Sequence, residues 1–566
     1  MTSHQGDHAI RSIVIAGGGA AGWLTAAIIA AEHNLPNNPH LNITLVESPD
    51  VKILGVGEGT WPTMRDTLRK IGIDETHFLL SCDASFKQGT RFVNWRNGGG
   101  NRNKNSNVHC NGYGSCDDVY DHPFGLPAGF FEADIAAWFL LNQTPDTSCA
   151  NASASFAKQF STQSVLSDNY KAPKQLQTPA YAAVANYGYH LNAHKFAELL
   201  KKHSINVLGI NYVQAHIDKV ITDKNDNISA LQCKVGSNKA GIKGVEGNLI
   251  KGDLFVDCTG FAAKLIGEHY QQGLTSVSDG LKNDTAMAVQ AAYRDEEADI
   301  ASVTLSTAHD NGWIWDIGLP NRKGVGCVYS SEFCSDDKAV ATLTQYLKND
   351  PSIVPIDESA IRKISFTPGY RKSAWVKNCV AVGTAAGFVE PLEASALVMV
   401  ELSAKYIASQ LPEYSSTVPI VAKQFNQNFS QRWQRIVDFL KLHYVMSGRD
   451  DSPYWREMSK ISTASTNSPS ASTQLSDWLA QWQRRPIAIN DFMYAEELFP
   501  AASYMYVLYG MQSANQVKLN SARYTAAQLK AAQVAVQQNY KRTQQQLAAL
   551  PTNRELINAL RQQAGI

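Results

Sequence analysis

The chain carries no excess of either charge. Its 566 residues include 51 Lys and Arg against 51 Asp and Glu, so the formal net charge is zero. That excludes a global basic field for nucleic acid and an acidic tail for a cationic partner. Cysteine is sparse: nine residues, an odd number, scattered between Cys82 and Cys379. The pattern fits reduced thiols in the cytoplasm and not a disulfide framework. Long apolar runs are missing too. No stretch reaches the ~18–20 uninterrupted apolar residues of a membrane span. Residues 10–31 come nearest, but Gly17, Gly18, Gly19 and Gly22 break them where a signal peptide needs a continuous apolar centre. The expectation is a soluble cytoplasmic protein with no nucleic-acid or membrane partner, long enough for roughly two to four domains.

What fills residues 13–47 is a dinucleotide motif. Ile13-Val14-Ile15-Ala16 reads as a short apolar strand, followed by Gly17-Gly18-Gly19-Ala20-Ala21-Gly22 and an Ala-rich helix. A second strand, Ile43-Thr44-Leu45-Val46, ends in Glu47. Gly17 permits the tight turn, Gly19 lets the backbone approach a pyrophosphate, and Gly22 lets helix pack on strand. The helix N-terminus at Ala20 and Ala21 offers free N–H groups to phosphate. Glu47, 25 residues past Gly22, can accept hydrogen bonds from ribose hydroxyls.

Further along, Gly55-Val56-Gly57-Glu58-Gly59 forms a glycine loop that could lie against a cofactor. Ala84 to Trp95 reads as one alternating strand. Residues 96–120 are a polar Gly/Asn-rich loop holding His109, Cys110 and Cys116. Its Cys-x5-Cys spacing matches no usual structural zinc pattern, so no metal is expected. Leu254 to Phe261 and Val380 to Gly387 each read as an apolar strand running into small residues. At the second of these, Gly383 and Gly387 would open another helix N-terminus toward the cofactor. Beyond about Pro412 the pattern is mostly helical.

Several stretches together resemble the flavin-dependent halogenases, the group typified by tryptophan halogenases. Gly312-Trp313-Ile314-Trp315-Asp316-Ile317 looks like their Trp-x-Trp-x-Ile signature. Phe86-Lys87, followed by Phe92-Val93-Asn94-Trp95, looks like the segment with their essential lysine. Phe388-Val389-Glu390-Pro391-Leu392-Glu393 looks like the segment with their essential glutamate. The resemblance runs from residue 13 to about 455. It implies an α/β fold: an FAD-binding Rossmann-like domain of the GR2-type flavin monooxygenase kind, with a mainly helical C-terminal substrate-binding part. On this reading residues 1–410 hold the FAD domain, with inserted pocket segments at about 96–185, and residues 411–566 cover the pocket.

The implied chemistry uses FADH2, oxygen and chloride or bromide to form hypohalous acid. Lys87 would hold the acid by hydrogen bonding or as a haloamine, and Glu393 would stabilise the cationic ring intermediate or remove its proton. Trp313 and Trp315, at strand spacing with Ile317, would shield the flavin from the organic substrate. Their residue types alone favour ordinary core packing. His122 and Phe124, with Tyr444 and Trp455, resemble the aromatics that sandwich an indole. The halide would rest on the N–H groups of Ser395 and Ala396. Here the chain departs from the family's Glu-Ser-Thr-Gly: Ala394 lacks the hydroxyl, and Ala396 is less free than Gly to take positive φ. No second nucleotide motif for NAD(P)H is evident, which implies a separate NAD(P)H-dependent flavin reductase; a homodimer is left open. Two other readings stay open: a flavin monooxygenase hydroxylating an aromatic, and a non-catalytic flavin-binding homologue.

Overall fold

The computed structural model describes residues 7–50, 57–96, 118–142, 155–234, 245–461, 473–492, 497–511 and 517–565. His109, Cys110, Cys116, Gly55 and Val56 lie outside these residues. Strand β1 (Ser12–Ala16), helix α1 (Ala20–Glu32) and strand β2 (Asn42–Glu47) form the Rossmann-like unit. β1 is the inner strand of a six-stranded sheet, with β2 and then Asn211–Gln214 on one side. On the other lie Leu254–Asp257, Cys379–Ala381 and Trp375–Val376. All neighbours are parallel except the last pair. Parallel strands covered on both faces become continuously apolar, and Ile13, Val14, Ile15 and Ala16 are each fully buried.

The expected single strand over Ala84–Trp95 is two. β3 (Gly57–Gly59), β4 (Ser85–Lys87) and β7 (Gly188–Asn192) form a small antiparallel sheet in the order β3-β7-β4. β5 (Gly89–Val93) and β6 (Val119–Pro123) belong instead to a seven-stranded sheet. That sheet also contains Thr304–His309, Gly312–Gly318 and Arg322–Tyr329. The chain changes sheets at Gln88, whose N–H donates to Ser302 O at 2.6 Å. This switch sets Lys87 on one sheet beside Thr90 on the other.

The expected helix near Gly383–Gly387 is absent. Gly383–Ala385 makes a single 3-10 turn, and Gly387 enters a two-residue strand packed on Tyr370. The long helix begins later, at Ser395, and runs to Ser409 against α1. The described residues beyond 411 are mainly helical, led by Val418–Met446 and ending in Ala526–Ala549 and Asn553–Gln563. One apolar core joins α1, the seven-stranded sheet and these helices. Among the described residues no helix is long and apolar enough to cross a membrane.

Candidate active site

The glycines of the turn each have their own steric surroundings. Gly17 has φ +116°, and a Cβ there would lie 2.1 Å from Cys258 O. A Cβ on Gly22 would lie 1.9 Å from Gly17 O. At Gly19 nothing stands within 4 Å of a Cβ position. Gly19 caps α1 with no side-chain hydrogen bond, so the first N–H groups of α1 have no capping side chain at Gly19. Ala20 and Ala21 are partly exposed beside it. Gly383, at φ +72°, packs its Cα face on Ala21, and so brings the second strand end to the same crevice. Glu47 Oε2 accepts from Lys201 Nζ at 2.6 Å and from Tyr212 OH at 2.7 Å. These bonds fix the carboxylate at the end of β2.

The wall follows the strand period. Trp313, Trp315 and Ile317 share one face of Gly312–Gly318. Trp313 Nε1 donates to Glu390 Oε2 at 2.6 Å. The Trp315 ring covers Gly326 so closely that a Cβ there would lie 2.1 Å from Cζ2. Ile317 meets Gly57: a Cβ on that glycine would lie 3.2 Å from Ile317 Cγ2. Two residues on, a Cβ on Gly59 would lie 3.0 Å from Lys87 Nζ and 3.3 Å from the Ala394 Cβ. Strand β3 therefore runs from the end of the tryptophan wall to the meeting point of Lys87 and the 393–394 turn.

Lys87 is 1% exposed. Burial pushes its ammonium down to about 8, against the upward pull of the Glu393 charge. Its Nζ stands 5.3 Å from the centre of the Phe124 ring. Glu393 is buried in a clamp. His122 Nδ1 donates to Oε1 at 2.8 Å, and His443 Nε2 lies 3.4 Å from the same oxygen. Thr90 Oγ1 donates to Oε2 at 3.2 Å. Thr90 and His122 are direct partners across the β5–β6 pair, so one register delivers both. Burial alone would raise the Glu393 carboxyl, but the charges and hydrogen bonds of His122 and His443 hold it well below its ordinary value. Burial lowers His443, partly countered by Glu393. Tyr120 OH donates to His443 Nδ1 at 2.8 Å and orients the ring.

The backbone at this point is strained. Glu393 (φ +65°) and Ala394 (φ +54°) are consecutive non-glycine residues in the left-handed region. Such pairs cost on the order of 1–3 kcal/mol per residue and persist at functional sites. They turn the chain so that Ser395 opens the long helix without a side-chain cap. Ser395 is buried and Ala396 exposed. Their N–H groups lie in the first helical turn, where anions are stabilised. Ala396 is helical, so the positive φ feared for that position is not needed there.

A family model described as tryptophan halogenase matches residues 12–526. The chain belongs to the tryptophan halogenase family. It is 30% identical over 458 residues, 80% of each chain, to the tryptophan 7-halogenase of Lentzea aerocolonigenes. Its structure superposes on a tryptophan halogenase from Shewanella frigidimarina NCIMB 400 with a TM-score of 0.85, at 42% identity and 98% coverage of both chains. A flavin-dependent halogenase from Brevundimonas sp. BAL3 gives 0.77 at 27% identity, covering 97% of this chain and 99% of that one.

Within this tryptophan halogenase fold, four of the residues expected at the reacting centre converge. Lys87, Glu393, His122 and Phe124 meet where β4, β6 and the 393–394 turn come together. Tyr444 and Trp455, expected to close the substrate side, lie elsewhere. Both are fully buried and pack on Trp95 at 5.3 and 5.6 Å. Tyr444 OH donates to Glu390 Oε2 at 2.7 Å, and Trp455 Nε1 donates to His309 O at 2.7 Å. They back the tryptophan wall because Tyr444 follows His443 around the helix and so turns away from Glu393. The rings beside His122 are Phe439, Tyr506 and Phe499, at 5.5, 6.3 and 6.4 Å. Trp61 packs on Phe499 at 4.9 Å and donates Nε1 to Glu393 O at 2.8 Å. Thr90, His443 and Glu390 sit within or beside the quoted motifs and could have been read from them. Trp61, Phe499 and Tyr506 are distant in sequence from Glu393, and no local pattern marks them. Among the described residues no His, Cys, Asp and Glu group could hold a metal.

Proposed function

We propose that the chain halogenates an electron-rich aromatic, tryptophan or another indole, with hypohalous acid. The observation that carries this reading is the convergence of Lys87 and the Glu393–Ala394 turn at Gly59, where Lys87 Nζ and the Ala394 Cβ both approach, with β3 linking that point to the Trp313–Trp315 wall. Gly17, Gly19, Ala20, Ala21, Gly22, Glu47 and Gly383 would hold FAD. When bound in its reduced form, the flavin supplies hypohalous acid from oxygen and chloride or bromide. The first-turn N–H groups of Ser395 and Ala396 hold the halide. Trp313 and Trp315 keep the aromatic away from the flavin crevice and exclude water.

Lys87, depressed to about 8 by burial, holds the acid at Nζ as a hydrogen-bond donor or, once deprotonated, as a haloamine. Glu393, kept anionic by its two imidazoles, stabilises the cationic ring and takes the proton displaced by halogen. Overall the ring C–H bond breaks and the C–X bond forms. The four electrons for dioxygen would come from the bound reduced flavin and the halide together, and its atoms would leave as water and hydroxide, the third proton being the one displaced from the ring. The reduced flavin comes from a separate NAD(P)H-dependent reductase in the cytoplasm. The test is mass analysis after incubation with a reductase, FAD, NADH, bromide and an indole panel that includes tryptophan. A bromine isotope doublet is expected. An added oxygen, or no product with any indole, overturns the reading.

A further inference from the structure

The catalytic lysine sits on a strand of only three residues, Ser85–Lys87. One edge pairs with β7, in the register Ser85↔His190, Phe86↔Tyr189 and Lys87↔Gly188. Among the described residues the other edge has no neighbouring strand. It is met by one side chain from the far end of the sequence. Asn553, the first residue of the helix Asn553–Gln563, donates Nδ2 to Phe86 O at 3.0 Å. Its Oδ1 accepts from Phe86 N at 3.3 Å. A primary amide carries the same donor and acceptor as a peptide group, so Asn553 stands in for the missing strand. It is fully buried, as Phe86 nearly is, and water cannot replace it.

The same helical turn also grips the loop that follows the tryptophan wall strand. Arg554 Nη1 donates to Pro320 O at 2.6 Å and Nε to Ala298 O at 2.8 Å. Ser85 Oγ donates to Gly318 O, at the end of the wall strand, at 2.6 Å. The turn is itself fixed from outside: Asn553 N donates to Tyr170 O at 2.7 Å, and Lys171 Nζ to Leu550 O at 2.7 Å. The family match ends at residue 526, so this helix lies beyond the matched part of the chain.

We propose that Asn553 is a positioning residue for halogenation, holding the Lys87 strand in register so that Nζ meets the oxidant and Glu393. This rests on the function proposed above. Asn553 touches neither flavin nor substrate, and it acts through the Phe86 peptide groups. Its loss leaves oxidant formation intact and lowers the capture of oxidant by the arene.

The test uses the full chain in a single turnover. Enzyme with reduced FAD is mixed with aerated buffer containing bromide, indole and a thioether scavenger. Flavin oxidation, bromoindole and sulfoxide are measured for Asn553→Ala and Asn553→Asp. Product per flavin oxidised is expected to fall by about ten-fold, because a misplacement near 1 Å is enough to lose that much. Flavin oxidation and the indole concentration giving half-maximal product stay within about two-fold, and the missing oxidant appears as sulfoxide. Unchanged product per flavin overturns the proposal, as does a parallel loss of flavin oxidation and product, which marks a merely structural role. If Asn553→Ala does not fold, the near-isosteric Asn553→Asp decides, since it keeps an acceptor for Phe86 N–H but sets an oxygen against Phe86 O. Lys87→Ala run alongside separates the two readings. Full bromination by Lys87→Ala sinks the proposed function. Loss there with unchanged Asn553 variants sinks only this inference.

Discussion

Replacing Lys87 with Met should make the protein more stable while abolishing halogenation. The lysine is 1% exposed, so solvent screening does little for it. At ~1.4 kcal/mol per unit of pH, the fall from 10.5 to about 8 means that holding the ammonium in place costs the fold about 3 kcal/mol at neutral pH. Methionine keeps most of the apolar stem and removes the charge. For 566 residues, an unfolding entropy near 1.2 kcal/mol/K converts that into a rise in Tm of about 2–3 °C. The pH dependence is the sharper readout. A lysine depressed in the folded state binds fewer protons folded than unfolded between about 8 and 10.5. The native protein therefore gains stability across that window as pH rises, and the variant does not. Scanning calorimetry at pH 7 and at pH 10 should show the gap between the two proteins closing. A variant no more stable than the parent at pH 7, or a gap that stays constant with pH, would refute the buried-charge reasoning.

The glycine turn gives a paired test. Gly17→Ala must relieve both a positive φ and a 2.1 Å clash, at a cost of about 3 kcal/mol, read as a lowered denaturation midpoint. Gly19→Ala meets open space and should leave that midpoint unchanged while weakening FAD binding about ten-fold by blocking backbone approach to the pyrophosphate, read by fluorescence titration. Glu393→Gln should retain flavin oxidation and lose bromination. Because the native carboxyl lies below its ordinary value, the stability it contributes is present above the unfolded carboxyl value and is lost as pH falls through the folded one. The variant's Tm deficit at pH 7 should therefore shrink on acidification. Trp313→Phe removes one of three donors to Glu390 Oε2, the others being Asn283 Nδ2 and Tyr444 OH. The loss of that bond to a buried carboxylate should cost about 1–3 kcal/mol by denaturant titration.

The motifs that survived translation into structure are those in which neighbours in sequence are neighbours in space. The β1–α1–β2 unit is one. The i, i+2, i+4 face of Trp313, Trp315 and Ile317 is another. Expectations failed where the answer depended on a distant partner. Ala84–Trp95 has the alternation of one strand, yet Gln88 bonds to Ser302 and splits it between two sheets. Gly383–Gly387 has the look of a helix start, but Gly387 packs on Tyr370 and remains extended. Tyr444, next to His443 in sequence, is expected at the pocket from its resemblance to the family's C-terminal aromatics. The helix sends these two side chains to different faces, one toward Glu393 and the other toward Glu390.

The sequence by itself determined the dinucleotide turn and the tryptophan strand, because short-range periodicity and glycine sterics act within a few residues; Lys87 and Glu393 stand out only through their resemblance to the family's segments. Only the tertiary structure decided how those groups are tuned. Burial depresses Lys87, two imidazoles from different elements keep Glu393 charged, and Asn553 closes the edge of the lysine strand across 467 residues of chain. Dielectric, hydrogen-bond partners and edge pairing belong to a residue's surroundings, and those surroundings exist only once remote segments have packed together.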